Sequence, residues 1–176
     1  MAYHITYEND DLVIREIEAK DKAIIETWYH DKYQRDYPYT SMDGETDWFH
    51  AYEQNPSELI LIADEKKKFH QPIGVVKLIV MNKKHVKMCG YIIGEKLAKG
   101  NGYSHAILSL AHDYVFTELY PKYICLEVET DNRPAVGTYI KAGYKINELF
   151  VKDGKDMYFM RILNPRYYEA VDENYN

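Results

Sequence analysis

Only two cysteines occur in the 176 residues, and no stretch approaches the ~18 consecutive apolar residues that a membrane-spanning helix needs. Cys89 and Cys125 lie inside apolar, strand-like runs, where a free cysteine behaves as a small buried hydrophobe, and this points to a reduced, cytoplasmic setting. The chain also lacks a positively charged start followed by an apolar run, so neither secretion nor a membrane partner is expected. Positive charge is not in excess: the net charge is −6, the wrong sign for bulk nucleic-acid binding. The seven histidines (His4, His30, His50, His70, His85, His105, His112) include no i, i+4 pair with a glutamate between, so no metal site is expected. A dinucleotide fingerprint is missing as well, because that reading wants an acidic residue about twenty positions past a glycine loop and a longer parallel sheet.

What is present describes one globular domain, with 46% hydrophobic and 28% charged residues. Its bounds are read as 1–163, and the polar, net acidic tail 164–176 is expected to fray or pack loosely. Charge is unevenly spread: residues 1–56 carry −8 and the remainder +2. An acidic first third favours a cationic partner, although solvated helix faces produce the same imbalance.

Leu12 to Ile17 reads as a first strand. A short helix follows from Lys20-Asp21, with Ile24 and Trp28 on its apolar face and Ile25 a candidate third member. Tyr29 to Tyr39 is dense in tyrosine, with Asp31, Asp36 and Pro38 interleaved; it reads as a loop, and Tyr33, Asp36 and Tyr37 are its candidate substrate-binding residues. Thr46 or Asp43 is placed to cap a second helix that stops before Asn55-Pro56. Strands at 58–63, 73–81 and 86–93, joined by short polar turns, imply an antiparallel meander. A helix over 103–118 and a strand over 123–129 then make a crossover that can set two strands parallel. Pro134 and Gly143 bracket a short helix, and Asp153-Gly154 joins strands at 144–151 and 156–163 in a hairpin. The fold class is α/β: a mixed, mostly antiparallel sheet of about seven strands with flanking helices.

Chemistry concentrates at two places. Gly100 and Gly102 sit where a β-branched run hands over to a helix, and the unpaired amides of Asn101, Gly102, Tyr103 and Ser104 would suit a phosphate; a tight turn is the plainer reading of the same glycines. Further on, Leu126-Glu127-Val128-Glu129 alternates, so Glu127 and Glu129 share one strand face, and Asn132 falls at the strand's C-terminal edge, where ligands of parallel strands bind.

Lys99-Gly100-Asn101-Gly102-Tyr103-Ser104, followed by LEVETDNRPAVGTYIKAGYK and a closing hairpin, resembles the GNAT superfamily of acyl-CoA-dependent N-acetyltransferases over roughly residues 58–163. The family loop begins with Gln or Arg and ends in Gly or Ala, so Lys99 and Ser104 are mild departures. The resemblance implies acetyl-CoA as acyl donor, with its pyrophosphate on the loop amides from Lys99 to Ser104, and its pantetheine arm and acetyl carbonyl on backbone groups near Ile92 and Ile93. It implies that Asn132 touches the pantetheine, that Tyr139 protonates the departing thiolate, and that Glu127, twelve residues before the tyrosine, is the base in the manner of members acetylating ribosomal-protein N-termini. Amine attack on a thioester needs a neutral amine, a polarised carbonyl and an acid for sulfur, and no covalent enzyme intermediate. Cys89 and Cys125, read as buried, are poor acyl carriers. The expected acceptor is a small cationic amine (polyamine or aminosugar, including aminoglycosides) or a peptide N-terminus, and a homodimer is allowed. The competing reading is a catalytically idle acyl-CoA-binding regulatory module of the same fold.

Overall fold

The computed structural model describes residues 7–33 and 47–173. Strands β1 (Tyr7–Glu8), β2 (Leu12–Glu16), β3 (Glu58–Glu65), β4 (Gln71–Val80), β5 (His85–Ile93), β6 (Tyr123–Glu129), β7 (Lys145–Lys152) and β8 (Lys155–Leu163) form one sheet in the order β1-β2-β3-β4-β5-β6-β8-β7. Its neighbours are antiparallel except β5 and β6. The helices are α1 (Lys22–Tyr33), α2 (Trp48–Gln54), α3 (Tyr103–Glu118), α4 (Arg133–Lys141) and α5 (Pro165–Glu173). The mixed α/β sheet is as expected, with eight strands in place of about seven; the extra one, β1, is too short to leave a pattern.

Alternation along the strands builds two cores. Leu59, Leu61 and Ala63 of β3, with Val76, Leu78, Val86 and Met88, pack on Ile107, Leu108, Ala111 and Val115 of α3. Ile60 and Ile62, with Val75 and Ile92, pack on the opposite face against Ile25 and Trp28 of α1 and Trp48 and Tyr52 of α2. The sheet is thus covered on both faces, and α4 brings Tyr139 to the α3 side.

Several local readings need correction. The buried pair on α1 is Ile25 and Trp28, three residues apart, with Ile24 only half-buried. The same helix runs on through Tyr33, into what reads as loop, because an apolar face anchored this firmly extends helix into neighbouring polar sequence. The cap of α2 is Asp47, whose carboxylate accepts from the Phe49 N–H; Thr46 and Asp43 lie outside the described residues. Residues 165–173 of the C-terminal tail form α5 in place of the expected fraying or loose packing, and Asn164 just before it is fully buried, donating to the carbonyls of Phe116 and Pro121. The hairpin turn has positive φ at Asp153 and Gly154 (52° and 74°), as a type I′ turn requires.

One glycine fixes how α1 sits on the sheet. A methyl group at Gly94 would fall well inside contact distance of the Trp28 indole, which is itself buried. Gly94→Ala is therefore expected to destabilise the fold by about 1–3 kcal/mol, the usual cost of overpacking a full core. Urea denaturation checks it; an unchanged midpoint would mean that α1 is not held against the end of β5.

Candidate active site

The site is built on a gap in the sheet. β5 and β6 pair only from His85–Lys87 to Tyr123–Cys125. A bulge then interrupts β5: Leu78 faces Met88 and Lys77 faces Gly90, leaving Cys89 unmatched, and beyond it the two strands part. The Gly94 N–H donates to the Ile73 carbonyl at 2.8 Å. Counting back by the two-residue period from that bond, the peptide groups of Ile92 and Gly90 turn toward β4, and those of Tyr91 and Ile93 turn into the gap. The Tyr91 carbonyl does face the gap, accepting from Lys32 Nζ at 3.3 Å. Ile92 and Ile93 both line the groove, as does Tyr91; by this period Ile93 and Tyr91 turn backbone to the gap, while Ile92 buries its side chain beneath α1.

After Gly94 the chain is pinned, because the Glu95 N–H shares the Ile73 carbonyl and the Glu95 carboxylate accepts from Leu97 N–H and Gln71 Nε2. The loop that follows places Gly100 at φ 76° and Gly102 at φ 79°, where a side chain is strained. A Cβ at either position would meet nothing within 4 Å, so these glycines answer to backbone conformation and an open approach. Gly102 is the N-cap of α3 and makes no side-chain cap bond, so the first amides of α3 point outward beneath the positive end of a sixteen-residue helix. Asn101 serves the loop itself, its Nδ2 donating to the Leu97 and Lys99 carbonyls. The Tyr103 ring turns away to an edge contact with Phe69, which leaves its amide as its contribution. These residues fit a pyrophosphate: glycine-lined, approachable amides with Lys96 and Lys99 beside them.

Loop and gap join in one groove of about 1050 Å³. One wall is Asn132, Pro134, Ala135, Thr138 and Tyr139, the floor is Cys89–Gly94, and the far wall holds Glu127, Val128 and Glu129 with Trp28, His30, Asp31 and Lys32 of α1. Asn132 caps α4, its Oδ1 accepting from the Ala135 N–H at 3.4 Å, and its exposed side chain borders the groove. Tyr139 is buried to 8% exposure, with its ring edge-on to Tyr91 at 6.2 Å and to Tyr144 at 5.8 Å.

Glu127 lies in the groove, but in company the sequence does not reveal. Its Oε2 accepts from Lys152 at 3.0 Å and Lys87 at 3.3 Å, and the hydrogen bond from Lys152, with Lys87 adding to it, holds the carboxyl below its ordinary range. Glu129 is likewise paired, with Lys155 at 2.7 Å. Both lysines of the hairpin are far from these glutamates in sequence, and only the β6–β8–β7 register brings them together. Cys89 requires correction: the bulge leaves it exposed at the groove floor, while Cys125 is buried. Partial desolvation still raises the Cys89 thiol pKa above its ordinary value, so it makes a poor nucleophile. Of the three substrate-binding candidates, Tyr33 closes α1, and Asp36 and Tyr37 lie outside the described residues. Asp31, two residues earlier, does reach the groove. Among the described residues no group of three or more His, Cys, Asp or Glu could hold a metal ion, and no helix is long and apolar enough to cross a membrane.

A sheet opened between two parallel strands, with a glycine-rich helix start at one end and a tyrosine-bearing helix along one wall, is an acyl-CoA-dependent transferase architecture. The profile described as the acetyltransferase (GNAT) domain matches residues 11–145, and the chain belongs to that family as an acetyl-CoA-dependent N-acetyltransferase. Among solved structures, it is similar in fold to the spermidine N-acetyltransferase of Vibrio cholerae in complex with CoA and spermine, at 24% identity and TM-score 0.75, covering 91% of this chain and 99% of that one. A chimera of the Vibrio cholerae spermidine N-acetyltransferase SpeG and hSSAT matches at 25% identity and TM-score 0.69, over 89% of this chain and 98% of that one. Comparison with curated proteins gives no significant match.

Proposed function

We propose that the acceptor is a primary amine of a small linear polycation of the polyamine class. The supporting observation is the single groove that runs from the glycine loop to Tyr139 and then opens between Asp31 and the β6 carboxylates, in a chain whose first 56 residues carry −8. The likeness to spermidine N-acetyltransferases agrees with it. Acetyl-CoA, when bound, supplies the activated acetyl group. The chain's part is to seat the pyrophosphate on the α3 amides, receive the pantetheine along Tyr91 and Ile93, polarise the acetyl carbonyl with backbone N–H, and deliver the Tyr139 proton to the leaving sulfur. A panel of spermidine, an aminoglycoside and a peptide with a free N-terminus, followed by thiol release, tests the assignment. Spermidine is expected to turn over fastest; preference for the peptide would replace the polyamine reading.

Glu127 is proposed as the group that draws the proton from the acceptor ammonium, through water. Its pKa is depressed in the fold, so it stays ionised at every pH above the ordinary carboxylate value of about 4.3 and loses its charge only below that. A rise of kcat/KM between about pH 6 and 9 is therefore expected to follow the amine and not Glu127. Glu127→Gln is expected to lose about 10-fold or more at the acid end, where the amine must be deprotonated on the enzyme, and to recover toward the amine's own pKa. A loss that is constant across the pH range would assign Glu127 to holding Lys87 and Lys152 in place.

The free thiols of Cys89 and Cys125 support a reducing, cytoplasmic setting. A homodimer is supported by the exposed Ile146, Leu149 and Val151 of the edge strand β7, and sedimentation velocity at micromolar concentration, with a monomer as the contrary outcome, tests it.

A further inference from the structure

Behind Tyr139, away from the groove, lies a buried polar pair that the transfer chemistry does not use. His112 on α3 and Tyr144, just past α4, are 5% and 2% exposed, and His112 Nε2 is hydrogen-bonded to the Tyr144 hydroxyl at 2.8 Å. The Tyr144 ring stands edge-on to Tyr139 at 5.8 Å and to His112 at 5.2 Å. The Tyr144 N–H donates to the Tyr139 carbonyl at 3.0 Å, and Gly143 between them, at φ 106°, turns the chain so that both contacts are made. Tyr139 therefore has Tyr91 against one side of its ring and Tyr144 against another, and the second of these is fixed from α3 by a single hydrogen bond.

A buried imidazole and phenol are costly to desolvate, and apolar side chains of similar volume would fill the same space without a polar bond. What the bond adds over apolar packing is a fixed distance and direction between α3 and the end of α4. α3 begins at the glycine loop and α4 carries Tyr139, so the bond joins the element that seats the cofactor to the element that carries the acid. Burial, with His105 adding to it, pulls the His112 pKa down to about 4, so at neutral pH the pair is a neutral hydrogen bond.

We infer that His112 and Tyr144 are positioning residues for Tyr139: through the His112–Tyr144 bond and the Tyr144–Tyr139 ring contact, they hold the phenol at the height in the groove from which it protonates the leaving thiolate. This rests on the reading of Tyr139 as the acid.

The test is a double-mutant cycle of Tyr144→Phe with Tyr139→Phe. It is read as kcat and acetyl-CoA KM with spermidine, or with whichever panel amine turns over fastest, and melting temperature is followed alongside. Tyr144→Phe keeps the ring and removes the hydroxyl; it is expected to lower kcat about 5-fold, with acetyl-CoA KM within about 2-fold of wild type, and to have no further effect in the Tyr139→Phe background. The double variant His112→Leu with Tyr144→Phe removes both polar partners, so no buried group is left unsatisfied and the fold is retained. It is expected to show the same fall in kcat with a melting temperature near that of wild type. An equal fall from Tyr144→Phe in both backgrounds, or lower melting with unchanged kcat, would overturn the positioning role while leaving Tyr139 as the acid. Wild-type turnover by Tyr139→Phe itself would instead remove the acid assignment, and the positioning role with it.

Discussion

Tyr139→Phe is expected to lower turnover by about 10²-fold or more and to leave acetyl-CoA affinity within a few-fold of wild type, because a general acid contributes in the transition state and little to ground-state binding. The substitution removes one hydroxyl. The ring remains, and with it the edge contacts to Tyr91 and Tyr144. Melting temperature is followed alongside, so that a fall in kcat is separated from unfolding. Composition alone gives no reason to single out this tyrosine among 18. Its place on α4, following the Asn132 cap and facing the gap beside Tyr91, does. Steady-state thiol release measures it, and turnover within 3-fold of wild type would exclude the phenol as the proton donor.

Gly102→Val acts at the other end of the groove and on binding. The residue caps α3 at φ 79°, a left-handed conformation that costs a β-branched side chain about 1–2 kcal/mol, and its Cβ would stand in open space where no protein atom lies within 4 Å. The fold should survive that cost, since nothing is displaced. The pyrophosphate should not be tolerated as before, because the added branches occupy its approach to the α3 amides. Hydrogen bonds to charged groups contribute about 1.5–3 kcal/mol each, so losing one or two weakens CoA binding by about 10²-fold. Calorimetry with CoA on the folded variant checks this, and unaltered affinity would place the phosphates elsewhere.

How much of this was legible in the sequence depended on whether the signal was local. The spans of α3 and β6 follow from residues 103–118 and 123–129 alone, because a glycine pair, an amphipathic run and a β-branched run announce themselves. The glycine loop announces itself in the same way, whereas Asn132 and Tyr139 stand out only through the resemblance of their segment to the family motif. Non-local facts were not. Cys89 reads as buried because the bulge that exposes it is set by its pairing with β4, not by its own neighbours. Glu127 reads as one of two carboxylates on a strand face, with no lysine beside it, because Lys152 is 25 residues away and reaches it only through the sheet order. The His112–Tyr144 pair, 32 residues apart, leaves no local pattern. Asn164 reads as the start of a polar tail because its acceptors, the Phe116 and Pro121 carbonyls, lie at and just past the far end of α3.

The central claim is that the glycine loop and the parted strands together hold CoA, and the direct measurement is titration calorimetry with CoA paired with thermal melting. One site per chain is expected, with stabilisation growing as the logarithm of ligand excess to about 2.7 kcal/mol at one hundred times Kd. No heat of binding together with an unshifted melting temperature would contradict the account.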